Sequence, residues 1–253
     1  MMSPVSPMHR LFLSLALLLS VLPVRAQPPA LLDEAIRKWI ADEDHWAYTQ
    51  RLQIRNGSKP VEERVERYDP SQPEDLQWQL LEVAGKPPTP AQLKSWQRRK
   101  DREQKRRDER PLADYFDFNH ATVAAETPDT VRYDVPLRKE AYPRIPLDKL
   151  AVSVAVNKQR HELEELTAGL KETFRLAMGV AKVTDFGLAI SFKTVDEKFA
   201  SQPSTIKASG AARIILFFKV GGEAEVAWSD FKRVKPYKER FDVKIGDLKA
   251  LDF

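Results

Sequence analysis

Outside the first 26 residues the chain has three histidines, His45, His120 and His161, the usual agents of proton transfer and metal ligation. They stand far apart, with none of the short spacings that put two ligands on one metal ion. Asp114, Asp117 and His120 are spaced to share one face of a helix, which would pair carboxylates with an imidazole. The same types on a surface turn are ordinarily solvated. Cysteine is absent, so thiol nucleophiles, thiolate metal sites and disulfides are excluded. No G-x-S-x-G elbow occurs. Asp185-Phe186-Gly187 matches a kinase tripeptide, but no glycine-rich or catalytic loop accompanies it. Asn56-Gly57-Ser58 fits a glycosylation acceptor, and a hairpin turn explains it equally well. Neither a cofactor nor a metal is expected, and a catalytic role is not the leading expectation.

The residues that invite a function are apolar or basic. Trp46, Tyr48, Leu52, Trp78, Ile190, Phe192, Phe217 and Trp228 are large and fall at strand-like spacing. They either fill a core against helices or line an apolar ligand site. A second group, Arg98, Arg99, Lys100, Arg102, Lys105, Arg106 and Arg107, lies in a segment with nine basic and four acidic side chains between Lys94 and Arg110. Three readings apply to it. It is a solvated helix held by pairs such as Asp101 with Lys105 and Glu103 with Arg107, a dock for an anionic membrane or envelope protein, or a nucleic-acid contact. Nucleic acid is set aside, because export argues against it and no aromatic residues interleave the charges from Arg98 onward to stack bases.

The elements that position these residues follow from periodicity. Leu31, Leu32, Ala35, Ile36, Trp39 and Ile40 recur at helical spacing opposite Asp33, Glu34, Arg37 and Lys38. From Trp46 the period becomes two: Trp46, Tyr48, Leu52 and Ile54 alternate with Ala47, Thr49, Arg51, Gln53 and Arg55. Asn56-Gly57 signals a hairpin, and Val61 to Tyr68 returns as a charged strand expected to be wet on one face. Gln77 to Val83 is a third strand. Thr89, Pro90 and Gln92 form a helix start with a capping box, and only Leu93 and Trp96 offer that helix an anchor. Leu112, Tyr115, Phe116 and Phe118 bring the chain back. Strands are then expected at Val131–Val135, Leu150–Val156, Glu162–Ala168, Phe186–Phe192, Arg213–Val220, Ala224–Val234 and Phe241–Ile245. Pro203 is expected to mark a loop and Gly221-Gly222 a turn. Short strands joined by hairpin turns, with no βαβ alternation, mean a mainly β (α+β) chain built on an antiparallel sheet.

The amino terminus reads as an export signal. His9 and Arg10 precede an apolar run from Leu11 to Val21, Pro23 breaks it, and Val24-Arg25-Ala26 offers small residues before Gln27. The run is shorter than the ~20 residues a membrane span needs. Residues 1–26 are therefore expected to be removed, leaving residues 27–253 as a single domain with a charged helical insertion at about 89–118. Export without any cysteine fits a bacterial periplasm, with no lipid anchor.

An amino-terminal helix, hairpins of long strands, a helical insertion and further hairpins resemble the periplasmic lipoprotein carrier and receptor (LolA- and LolB-like) superfamily. The resemblance rests on the Trp46–Ile54 strand, its Asn56-Gly57 hairpin, and the Phe186–Phe192 and Arg213–Val220 strands, and spans most of residues 30–235. The insertion is longer and more charged than that pattern. The resemblance implies a curved, incomplete β-barrel with helices across its mouth and an apolar inside that holds a lipoprotein's acyl chains. Without a lipobox cysteine, the chain is more similar to the soluble carrier. The expected function is thus a periplasmic binding or carrier protein for an apolar ligand such as a lipid or acyl chain. A ligand-free cell-envelope interaction module is the alternative, and a hydrolase stands third.

Overall fold

The computed structural model describes residues 29–56, 59–109, 114–141, 145–176, 181–214 and 218–240. The expected signal at residues 1–26, the turn at Gly57, Phe217 and the last expected strand lie outside the described residues. Among the described residues two helices accompany an extended sheet: α1 (Ala30–Asp42) precedes the first strand and α2 (Pro90–Glu109) follows the third. The strands are β1 (Trp46–Asn56), β2 (Lys59–Tyr68), β3 (Trp78–Val83), β4 (Thr122–Glu126), β5 (Thr130–Asp134), β6 (Leu150–Asn157), β7 (Glu162–Leu170), β8 (Phe174–Leu176), β9 (Ala181–Lys193), β10 (Gln202–Ile214) and β11 (Phe218–Arg233).

All of them join one antiparallel sheet of 11 strands in the order β3-β2-β1-β11-β10-β9-β7-β6-β5-β4, with β8 paired to β9. The sheet does not close, so the architecture is an incomplete barrel whose edges are β3 and β4. β1, the first described strand, pairs with β11, the last, inside the sheet.

Register assigns one face of the sheet to apolar side chains. Across the centre, Leu52 pairs with Val226, Val226 with Ile206, Ile206 with Ile190, and Ile190 with Leu166. Side chains alternate along a strand, so Ile54, Ala224, Ala208, Leu188 and Ala168 share that face. The opposite face carries Arg51, Gln53, Arg55, Glu223, Glu225, Lys207 and Thr167 and meets water.

α1 lies on the apolar face over β6 and β7. Leu32, Ala35 and Ile36 are buried there against Val131, Tyr133, Val135, Val152, Val154, Val156 and Leu163, with Phe116 closing the cluster. Leu32 and Val156 are fully buried. Asp42, at the end of α1, accepts from Trp46 Nε1 at 2.8 Å and Gln202 Nε2 at 3.3 Å and pairs with Arg233, fixing the starts of β1 and β10 to the end of β11. Asp230 adopts φ 53° where β11 slips in register against β1. The bulge turns Phe231 onto Tyr48, with ring centroids 6.0 Å apart.

Three expectations are corrected. The segment around Pro203 is the start of β10, not a loop: Pro203 sits opposite Phe192 beside an irregularity in the register, where a missing donor does little harm. Gly221 and Gly222 lie inside β11, not in a turn. A Cβ on Gly221 would meet Gly210 O at 2.6 Å, and one on Gly222 would meet Arg55 O at 2.8 Å. These glycines serve close approach of neighbouring backbones. Finally, the expected Arg213–Val220 strand is not one strand, because Arg213 and Ile214 end β10 and Phe218 begins β11. β2 carries charge on both of its faces. Glu62, Arg64 and Glu66 lie on the helix-covered face, and Glu66 is fully buried.

Candidate functional site

The helix-covered face has two closed ends and an open middle. α1 closes one end, with Trp39 meeting Phe192 edge-on at 5.8 Å. A fully buried carboxylate reinforces that end. Glu162 takes Lys38 Nζ at 3.1 Å, Thr194 Oγ1 at 3.0 Å and Arg160 Nε at 3.3 Å.

α2 closes the other end by different means. Its start is capped as the sequence predicts, with Thr89 N donating to Gln92 Oε1 at 2.8 Å and Gln92 N to Thr89 Oγ1 at 3.4 Å. Trp96 is 5% exposed and is its buried anchor, whereas Leu93 is 41% exposed and anchors nothing. Trp96 Nε1 donates to Glu66 Oε1 at 2.8 Å, and Lys100 Nζ reaches Glu66 Oε2 at 2.7 Å. Gln50 Nε2 donates to the same Oε2 at 2.6 Å. Arg64 Nε lies 2.5 Å from Glu66 Oε1, a charge contact without the alignment of a hydrogen bond. Arg99 NH1 adds a bond to Glu62 at 2.9 Å, and Glu62 also pairs with Arg64.

Burial alone would raise the carboxyl of Glu66. Lys100, Arg64 and the Trp96 donor outweigh it and hold the group below its ordinary range. Glu62 is likewise depressed, with burial opposed by Arg99 and Arg64. Lys100 Nζ also sits 3.7 Å from the centroid of Trp78, in cation–π contact. Trp78, Tyr68, Tyr48 and Phe231 continue as a chain of ring contacts towards Trp46 and Phe199.

Between these ends the apolar face is incompletely covered. Leu52, Ile54, Leu188, Ile190, Ile206, Ala208, Ala224, Val226 and Trp228 are all only half-buried, and Phe186 is 36% exposed. The apolar contacts of α1 fall on β5, β6 and β7, with Trp39 on β9 and Asp42 at the margins of β10 and β11, and the anchors of α2 fall on β2 and β3. Among the described residues, the swath over β1, β11, β10 and β9 thus has apolar side chains and little to cover them, the usual property of a binding surface.

A groove of about 490 Å³ crosses the same strands on the opposite, polar face. Gln53, Arg55, Glu223, Glu225 and Lys207 wall it, and the small residues Gly187, Ala189 and Ser209 leave it room. Acids and bases balance along it, so it has no charge preference.

No family model matches the sequence, and no curated protein matches it. Among solved structures the chain is similar to a LolA superfamily protein from Nitrosomonas europaea, at 11% identity and a TM-score of 0.38, over 86% of this chain and 98% of that one. The likeness transfers no site residue.

The expected ligand residues divide by environment. Trp46, Tyr48, Leu52, Trp78, Ile190, Phe192 and Trp228 all belong to the apolar face by register. Leu52, Ile190 and Trp228 stand in its open middle. Tyr48 and Trp78 are packed in the ring chain beside α2, Phe192 packs against the α1 core, and Trp46 is 3% exposed with its indole N–H bound to Asp42. Of the basic residues, Arg99 and Lys100 face the sheet, while Arg98, Arg102 and Lys105 are exposed. Arg106 and Arg107 belong to α2, and their side chains lie outside the described residues.

Sequence reasoning missed Ile206, hidden in the unrecognised β10, and Glu66, which nothing in a charged strand marks as buried. The three histidines are dispersed among separate pairs: His45 with Glu239 at 3.0 Å, His120 with Asp117 at 2.7 Å and His161 with Glu34 at 2.8 Å. Among the described residues no group of three or more His, Asp or Glu is placed to hold a metal ion, and no helix is long and apolar enough to cross a membrane.

Proposed function

We propose that the protein binds a lipid-like, predominantly apolar ligand on the open middle of the helix-covered face, as a carrier in the bacterial periplasm. The observation that carries this reading is the half-buried apolar row running from Leu52 through Val226 and Ile206 to Ile190, flanked by a helix on either side. An acyl chain laid along that row would complete its burial, at about 25 cal/mol per Å² of apolar surface removed from water. Trp228 borders the row and suits the boundary between an apolar chain and a polar headgroup. The tripartite pattern of residues 1–26 supports export. In this reading the protein holds its ligand and does not transform it.

Titration with a fluorescent fatty acid, cis-parinaric acid, tests the reading. Binding that is displaced by unlabelled lipid is expected. Ile190→Asp and Val226→Asp should abolish it while the thermal transition stays cooperative, because neither residue belongs to the buried cluster under α1. A probe that does not bind the wild-type chain would end the ligand reading and favour a ligand-free interaction module of the envelope. Amino-terminal sequencing of the exported protein should begin at Gln27, and recovery of Met1 would remove the periplasmic assignment.

A further inference from the structure

The basic side chains of α2 fall into two sets that the helix separates in space. Trp96, Arg99, Lys100 and Glu103 lie within one sector of the helix, and the first three grip the sheet. Lys94, Arg98, Arg102 and Lys105 recur at intervals of four, four and three, which places them together on the opposite side. All four are exposed. Asp101 is the acid among them, and it accepts from Gln97 Nε2 at 3.0 Å within the helix. From Lys94 to Lys105 the stripe runs for about 16 Å at 1.5 Å per residue.

We propose that this outward face of α2 docks the protein on an anionic lipid surface. From Lys94 to Lys105 the stripe is straight and basic apart from Asp101, with Asp108 and Glu109 on the turn beyond it, and it has long flexible stems and no aromatic side chain among its residues. Such a surface fits a plane of diffuse negative charge. A shaped acidic partner would call for a recess or an aromatic anchor. The inner network is what makes the docking face firm. With Trp96 and Lys100 fixed on Glu66, the stripe is held at one angle to the sheet, so adsorption presents the molecule in one orientation. The inference rests on the placement of charge along α2 and holds whether or not the apolar face carries a ligand.

Vesicle co-sedimentation of the full chain tests it, comparing phosphatidylcholine alone with equal parts phosphatidylcholine and phosphatidylglycerol. Binding is expected only to the anionic vesicles and should fade as salt rises. The triple change Lys94→Gln, Arg98→Gln and Lys105→Gln should weaken it on the order of a hundredfold at low salt. An equal loss of charge at the exposed residues Lys171, Lys182 and Lys198, each changed to Gln, should leave it nearly intact. An unchanged far-ultraviolet circular dichroism melt verifies that the first triple variant is folded, and Arg98→Gln alone should give about a fivefold loss as a milder check. Equal losses in the two triple variants would show that net charge alone acts and would overturn the docking face. Absence of binding to anionic vesicles would overturn it too and assign the stripe to an acidic protein or to solvent.

Discussion

The two ends of the helix-covered face are closed by helices of opposite character. α1 gives the sheet three buried apolar side chains, Leu32, Ala35 and Ile36, and adds pairs of Lys38 with Glu162, Asp42 with Arg233 and Glu34 with His161 around them. α2 gives it one apolar ring, Trp96, and otherwise holds on through Lys100, Arg99 and the carboxylates beneath them. Each end contains a fully buried glutamate, so a buried charge by itself does not distinguish them. What differs is the apolar contact around that charge. Hydrophobic burial is indifferent to pH and salt near neutrality, whereas a charge network needs its protons in place. α1 is therefore a permanent wall of the molecule and α2 a conditional one.

The largest expected effect tests the permanent wall. Leu32→Ala removes a fully buried side chain from the cluster and should cost about 2–5 kcal/mol, seen as a lower urea midpoint for the whole cooperative transition. Retention of the wild-type midpoint would show that α1 is not part of the core. Glu66→Gln comes next. It leaves Lys100 and Arg64 facing a neutral amide, at about 1–3 kcal/mol, and the loss should be local. Hydrogen exchange should accelerate in α2 and leave α1 protected. Faster exchange in both helices would erase the contrast between them.

Acid should act on the same end. The carboxyls of Glu66 and Glu62 sit below their ordinary range when folded. Their contribution is therefore complete above the unfolded value of about 4.3 and is lost as pH falls through the lower folded values. Exchange in α2 should accelerate below about pH 4 ahead of the strands under α1. If α1 is released first, burial of Leu32 and Ile36 is not what separates the two ends. The smallest effect is expected at Arg37, whose partner Asp33 lies one turn away and whose side chain is 74% exposed. Arg37→Ala should change stability by no more than about 0.5 kcal/mol in the same urea titration.

The contrast also explains what could be read from the sequence. The α1 wall was legible because its apolar residues recur at helical spacing, and β5, β6 and β9 because theirs alternate. Period two placed Tyr48, Leu52, Ile190 and Phe192 on common faces of their strands, and register carried those faces into one surface. At the α2 end the capped helix start and the Trp96 anchor were legible, but the buried charge beneath them was not. A strand reading Glu62-Glu63-Arg64-Val65-Glu66 predicts a wet surface, and only the arrival of Trp96 and Lys100 from thirty or more positions away makes burial of Glu66 tolerable. β10 was missed for a different reason. Its Pro203, serines and glycine are ordinary loop signals, overridden by long neighbours on both sides.

Among the described residues, the unclosed sheet leaves two rows of backbone donors and acceptors without a next strand. Here those rows are short, six residues on β3 and five on β4. β3 ends where Ala84 and Gly85 take positive φ and fold Lys86 back against Val83, shortening the accessible row further. β4 ends at Glu126, whose carboxylate is tied to Lys158. Brevity and charge of this kind discourage one molecule from adding its edge to another's. The incomplete barrel can thus keep its apolar face open without inviting edge-to-edge aggregation, and concentrated protein should stay disperse as long as those two margins are not lengthened.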